Sequence, residues 1–186
     1  MRSKIFVATV AMIALTGVAA QEATAQMNGA DKAFSLEFRG TAALPTFDIA
    51  DAADLGYGGG FGIGYQVSDK IRLMADVDLA MHGTPTDDVE INTYHYMAKI
   101  GYDAFVSDKV VFTVNLGAGA VSFGGDLPTT ETYFAINAGA KLGIKLTDSV
   151  QFLISPQGDI AFSDEAVLGT DNSWVWPLGL GFRIQP

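Results

Sequence analysis

The sequence predicts an all-β fold: an eight-stranded antiparallel up-and-down transmembrane β-barrel preceded by a cleavable signal peptide. Three observations carry that prediction. Hydrophobic residues make up 49% of the 186-residue chain, yet beyond the N-terminal segment no apolar run approaches the roughly 20 residues a membrane helix needs. The apolar residues alternate instead with polar or small ones, over stretches that suit a tilted membrane strand of roughly 9–11 residues. A turn-like segment also recurs at nearly constant spacing.

The N-terminal segment is read first. Arg2 and Lys4 precede an apolar stretch from Ile5 to Ala20, and small residues follow, ending Ala23-Thr24-Ala25. This is the three-part plan of a secretory signal peptide. The expected division is residues 1–25 as signal peptide and residues 26–186 as a single outer-membrane β-barrel, with Val18-Ala19-Ala20 the alternative cleavage motif.

The repeated turn comes next. Val67-Ser68-Asp69-Lys70-Ile71, Val106-Ser107-Asp108-Lys109-Val110 and Leu146-Thr147-Asp148-Ser149-Val150 resemble one another, with 39 residues from Ser68 to Ser107 and 40 from Ser107 to Thr147. Ser, Thr and Asp bond their own backbone in tight turns, so each segment reads as a short hairpin connection. One period then holds two strands and one longer loop. The expected strands are Phe34–Leu44, Gly56–Val67, Ile71–Met81, Asn92–Phe105, Val110–Val121, Tyr133–Leu146, Val150–Phe162 and Ser173–Ile184. The connections around Pro45–Leu55, His82–Ile91, Ser122–Thr132 and Ser163–Asn172 are longer, the loop asymmetry of a membrane barrel.

Alternation separates two faces. One is apolar, and its aromatic residues fall into two belts. Phe34, Tyr65, Tyr102, Phe112, Phe152 and Phe182 belong to the short-turn rim, and Tyr57, Tyr94, Tyr96, Phe134, Phe162, Trp174 and Trp176 to the long-loop rim. Rings with a polar edge favour membrane interfaces, so paired belts point this face toward lipid. A soluble sandwich or barrel would turn the same face inward. The opposite face carries glycines and charges of both signs: Glu37, Asp76, Asp78, Asp103 and Asp159 against Arg39, Arg72, Lys99, Lys141, Lys145 and Arg183. Near-balance predicts a paired network that neutralises a narrow lumen, since unpaired charges there would be costly. An ion path built from switching pairs is the functional alternative.

With the export signal, the repeated turns, the alternation and the closing run Trp174-Val175-Trp176-Pro177-Leu178-Gly179-Leu180-Gly181-Phe182, the sequence resembles the small eight-stranded outer-membrane barrels of the OmpA-transmembrane-domain, OmpX and opacity-protein type. The resemblance implies a place in the outer membrane of a Gram-negative bacterium, contact with outer-membrane lipid and lipopolysaccharide, and insertion by the outer-membrane assembly machinery. Such proteins commonly end on an aromatic residue, whereas here Phe182 is followed by Arg183-Ile184-Gln185-Pro186.

Other function classes fare less well. A net charge of −10 and the absence of a basic stripe argue against nucleic acid, and the absence of cysteine removes thiol chemistry. Tyr57-Gly58-Gly59-Gly60-Phe61 opens no helix and lacks the Lys-Ser/Thr of a phosphate loop. The outer loops carry Asp48, Asp51, Asp54, Asp87, Asp88, Glu90, Asp126, Glu131, Asp164, Glu165 and Asp171 without Lys or Arg, but in no calcium-loop spacing. His82 and His95, with Ser122, Ser163 and Ser173, form no local His-x-Ser pattern. The expectation is a monomeric, non-catalytic barrel without cofactor or metal, in a structural, envelope or surface-interaction role and with a largely plugged lumen. A narrow passive porin-like channel is the alternative, ahead of a lipid-A-modifying enzyme or a periplasmic ligand-binding barrel.

Overall fold

A computed structural model describes residues 34–85, 89–165 and 171–186. Eight strands, β1 Phe34–Thr46, β2 Gly56–Gln66, β3 Ile71–Gly83, β4 Glu90–Val106, β5 Val110–Gly125, β6 Glu131–Lys145, β7 Val150–Phe162 and β8 Asn172–Ile184, follow one another in chain order. Each pairs antiparallel with its sequence neighbour, and β1 pairs with β8, so the sheet closes into a barrel with no free edge. Closure matters because an unpaired edge cannot be hydrated inside a bilayer. The expected fold is therefore the observed one. The expected signal peptide, residues 1–25, lies outside the described residues, as do Asp87 and Asp88.

The repeated turns work by one device. The hydroxyl of Ser68 accepts the Ile71 N–H at 3.2 Å, that of Ser107 the Val110 N–H at 3.0 Å, and that of Thr147 the Val150 N–H at 3.1 Å. Each turn also caps the strand two places on. The carbonyls of Lys70, Lys109 and Ser149 accept the N–H groups of Asp103, Lys145 and Gln185, all at 2.8 Å. A hydroxyl at a fixed position thus replaces water as the partner of a turn amide.

At the other end the strands outrun their expected limits. Gly83 pairs with Glu90 and Phe123 with Glu131, so β3 to β6 rise above the neighbouring wall. The polar residues of these extensions suit a ladder standing in water as well as a loop, which is why alternation could not place the ends. Between β1 and β2 the chain turns through Phe47, whose φ of 61° lies in the left-handed region. A short 3-10 helix, Phe47–Asp51, follows. It folds back over the barrel mouth and buries Ile49 against Met97, Val121, Phe123, Ala135 and Ala161.

Candidate functional site

The lumen is built from alternate residues of all eight strands, and its middle is an ionic cross-brace. Glu37 on β1 lies 2.7 Å from Arg39 Nη1, 2.7 Å from Lys141 Nζ on β6 and 2.8 Å from Arg183 Nη2 on β8. Asp76 on β3 lies 2.9 Å from Lys99 Nζ on β4, 3.0 Å from Lys141 and 3.5 Å from Arg39. Asp78 completes the group at 3.0 Å from Arg39 Nη2. Lys141, entirely buried, joins the two central carboxylates across the bore.

Glycines make the room. A side chain on Gly62 would reach the Asp76 carboxylate and come within 3.0 Å of Arg39 Nη1, and one on Gly179 would come within 2.8 Å of Arg39 Cδ. Guanidinium and carboxylate approach because β2 and β8 offer bare backbone at their level.

Two smaller groups flank the brace. Toward the short turns, Asp103 accepts Thr113 Oγ1 at 2.6 Å and Gln66 Nε2 at 2.9 Å, with Arg72 at 3.5 Å. Toward the long loops, Asp159 lies 2.7 Å from His95 Nδ1 and accepts the Asn137 amide at 2.5 Å. Among the described residues, His95 Nε2, Arg72 Nε and both amide atoms of Asn115 are buried and meet no hydrogen-bond partner.

The structure buries ten of the eleven charged residues that alternation assigns to the lumen. They comprise five acids and five bases, so formal charge cancels inside the bore. Lys145 is the correction. It is half-buried at the short-turn rim and donates to the Ser107 carbonyl at 2.8 Å, because β6 has reached the end of the barrel there.

Above the brace the lumen turns apolar. Met97, Val121, Phe123, Ala135 and Ala161 pack together there, with Ile49 of the first loop against them. Sequence reasoning missed this cluster. Inward apolar residues have the same parity as the inward charges, and only the folded first loop supplies Ile49. It also missed Gln157, whose Nε2 donates to the Ala140 carbonyl at 3.0 Å and whose Oε1 accepts Lys99 at 3.0 Å.

Both histidines face the bore. His82 Nδ1 lies 2.8 Å from the Asp54 carbonyl and Nε2 lies 3.1 Å from Thr93 Oγ1, pinning the first loop to β3 and β4. Ser122 bonds Thr132 at 2.8 Å, and Ser163 bonds Ser173 at 3.1 Å. The structure thus gives His82 and Ser122 partners outside the candidate set, and pairs Ser163 with Ser173 and not with either histidine.

The outer wall is apolar. Tyr57, Tyr65, Tyr96, Tyr102, Phe112, Phe134, Phe162, Trp176 and Phe182 are exposed on it, and Tyr94, Phe152 and Trp174 are partly so. Phe152 meets Phe182 edge-on near the short turns, and Phe134 stacks on Phe162 near the loops, with centroids 5.9 Å apart in each pair. Phe38 meets Phe61 edge-on with centroids 5.2 Å apart, and ladder pairing continues this row from Phe38 to Phe182 and Phe152.

With that geometry in place, comparison with known proteins decides the family. The family model described as "Outer membrane protein beta-barrel domain" matches residues 8–186. The chain belongs to this family. This outer-membrane barrel resembles the crystal structure of Neisserial surface protein A at 14% identity and TM-score 0.71, covering 83% of this chain and 97% of that one. It also resembles OprG from Pseudomonas aeruginosa at 14% identity and TM-score 0.59, with the same coverages. Escherichia coli outer membrane protein W follows at 10% identity and TM-score 0.51, covering 83% and 98%. No curated protein matches by sequence. At these identities the neighbours share the fold, and the family assigns the outer membrane.

Proposed function

We propose that this outer-membrane barrel is a closed, non-conducting and non-catalytic wall element, with a structural role in the envelope and an acidic outer face for surface contacts. One observation carries the reading: the brace ties β1, β3, β4, β6 and β8 together across the bore through Glu37 and Asp76. Each central carboxylate meets three cationic groups, and a network satisfied in this way is rigid as well as neutral. An ion would have to displace these contacts and then pass the apolar cluster over them. The loop acids, with no Lys or Arg beside them, make the outer rim an anionic surface suited to cationic partners. Outer-membrane lipid and lipopolysaccharide are its surroundings, the outer-membrane assembly machinery its route in, and the monomer its working form.

Planar-bilayer recording tests the reading. The reconstituted protein is expected to give no unitary current steps in any salt or at any voltage the membrane withstands. Reproducible steps that change when Asp76 is replaced by Asn would instead make the lumen a narrow passive channel, with the brace as its constriction.

A further inference from the structure

On the lipid-facing wall, above the centre of β6, β7 and β8, lies a groove of about 260 Å³. Its floor is Ala138 and Gly158, its flanks are Leu116 and Trp176, and Ile136 and Trp174 border it toward the long loops. The register explains the shape. Outward residues across these strands run Leu116, Ala138, Gly158 and Trp176 in one row, so two minimal side chains lie between two large ones. The next row toward the short turns repeats the dip with Ala140 and Pro156, so it runs along the β6–β7 seam.

The groove is preformed. Trp176 Nε1 donates to Thr46 Oγ1 at 3.1 Å, which holds the indole in place. A Cβ on Gly158 would lie 2.7 Å from the same ring, so the indole rests against bare backbone. The ladder is also interrupted here. Pairing of β6 with β7 lapses between Gly139–Gln157 and Leu142–Ile154, and that of β7 with β8 between Pro156–Leu178 and Asp159–Val175. Pro156 has no N–H to offer Ala140, and lumen amides mend the seam from inside: Gln157 bonds the Ala140 carbonyl and Asn137 the Gly158 carbonyl.

We propose that this groove seats one acyl chain of a zwitterionic phospholipid. Its lining is apolar and lies on the short-turn side of the Phe134–Phe162 stack, at the inner edge of the long-loop belt to which Trp174 and Trp176 belong, where fatty chains are the available ligand. The volume falls just under the usual range for drug-sized pockets, which suits a length of single chain. A second barrel presents a convex wall that would rest on Leu116 and Trp176 and leave the floor unfilled. The outer loops offer no Lys or Arg to a phosphorylated headgroup, so the chain, and not an anionic headgroup, is the recognised part.

The protein carries its own probe, because Trp174 and Trp176 are its two tryptophans and both line the groove. Reconstitution into vesicles of phosphatidylcholine bearing one dibrominated acyl chain, diluted with unlabelled phosphatidylcholine, reads occupancy as tryptophan quenching. Native mass spectrometry from mild detergent counts retained lipid. The expected result is one phosphatidylcholine per barrel, with its loss and at least a twofold drop in quenching in Ala138→Leu, whose new side chain fills the floor. Ala75→Leu on another part of the wall should match the parent. If Ala138→Leu does not fold, Leu116→Ala, which removes one flank, should lose the lipid in the same way. Three results would overturn the proposal: no retained lipid with quenching that tracks bulk bromolipid in all variants; cross-linked pairs of barrels with tryptophans shielded from bromine; or displacement of the phosphatidylcholine by equimolar lipopolysaccharide.

Discussion

Glu37 and Lys141 are 104 positions apart in the chain and 2.7 Å apart in the bore. Removing one partner of such a buried contact leaves the others uncompensated, and the loss is large compared with that of a surface pair. Glu37→Gln is expected to lower stability by about 3–5 kcal/mol, read from the urea midpoint of the protein folded in lipid vesicles. Lys145→Gln, which gives up one bond at the rim, should cost no more than about 1.5 kcal/mol in the same assay. The contrast tests whether Lys145 belongs to the turn and not to the brace. Gly62→Val checks the space requirement: the added methyl groups meet Asp76 and Arg39, and overpacking of this kind is expected to cost about 1–3 kcal/mol.

At the scale of elements, each strand's faces follow from its own alternation, and each short turn from a hydroxyl three residues before an amide. The β6–β7–β8 seam does not reduce to local rules. A proline in a strand costs a ladder bond, and here the missing donor is supplied by a side chain from the adjacent lumen position. Gln157→Leu is therefore expected to leave the Ala140 carbonyl and the Lys99 ammonium short of a partner, at about 1–3 kcal/mol. Amide hydrogen exchange should show the loss first in β6 and β7, with β2 and β3 unchanged. Equal loss of protection around the whole barrel would mean that the amide does not mend the seam.

At the scale of the whole molecule, an apolar exterior and a charge-balanced interior invert the arrangement of a soluble protein. Such a barrel needs amphiphile to be stable. Folded into detergent or lipid, the protein is expected to run as a compact, fast band on a cold gel and to shift on boiling, with no such band after dilution into buffer alone. A compact species in buffer would mean that the exposed leucines, tyrosines and phenylalanines have found cover within the chain, against the wall described above. The eight strands, their order and their two faces were legible in advance because a two-residue side-chain period and a forty-residue turn period are both local properties. The strand ends at the outer rim were not, since polar residues suit a water-exposed ladder and a loop equally well.

What the sequence determined by itself was parity and punctuation: which residues share a face, where hairpins close, and that inward charges nearly cancel. Which charge meets which was decided by closure of β1 onto β8, which brings Arg183 to Glu37, and by the stagger that sets Lys141 between Glu37 and Asp76. Parity also assigned Lys145 to the lumen, but height along the barrel axis moved it to the rim. The apolar cluster around Ile49 waited on the tertiary structure for the same reason. Alternation says which way a side chain points, whereas a contact across the bore depends on register, tilt and the folding of a distant loop, none of which is written in a single strand.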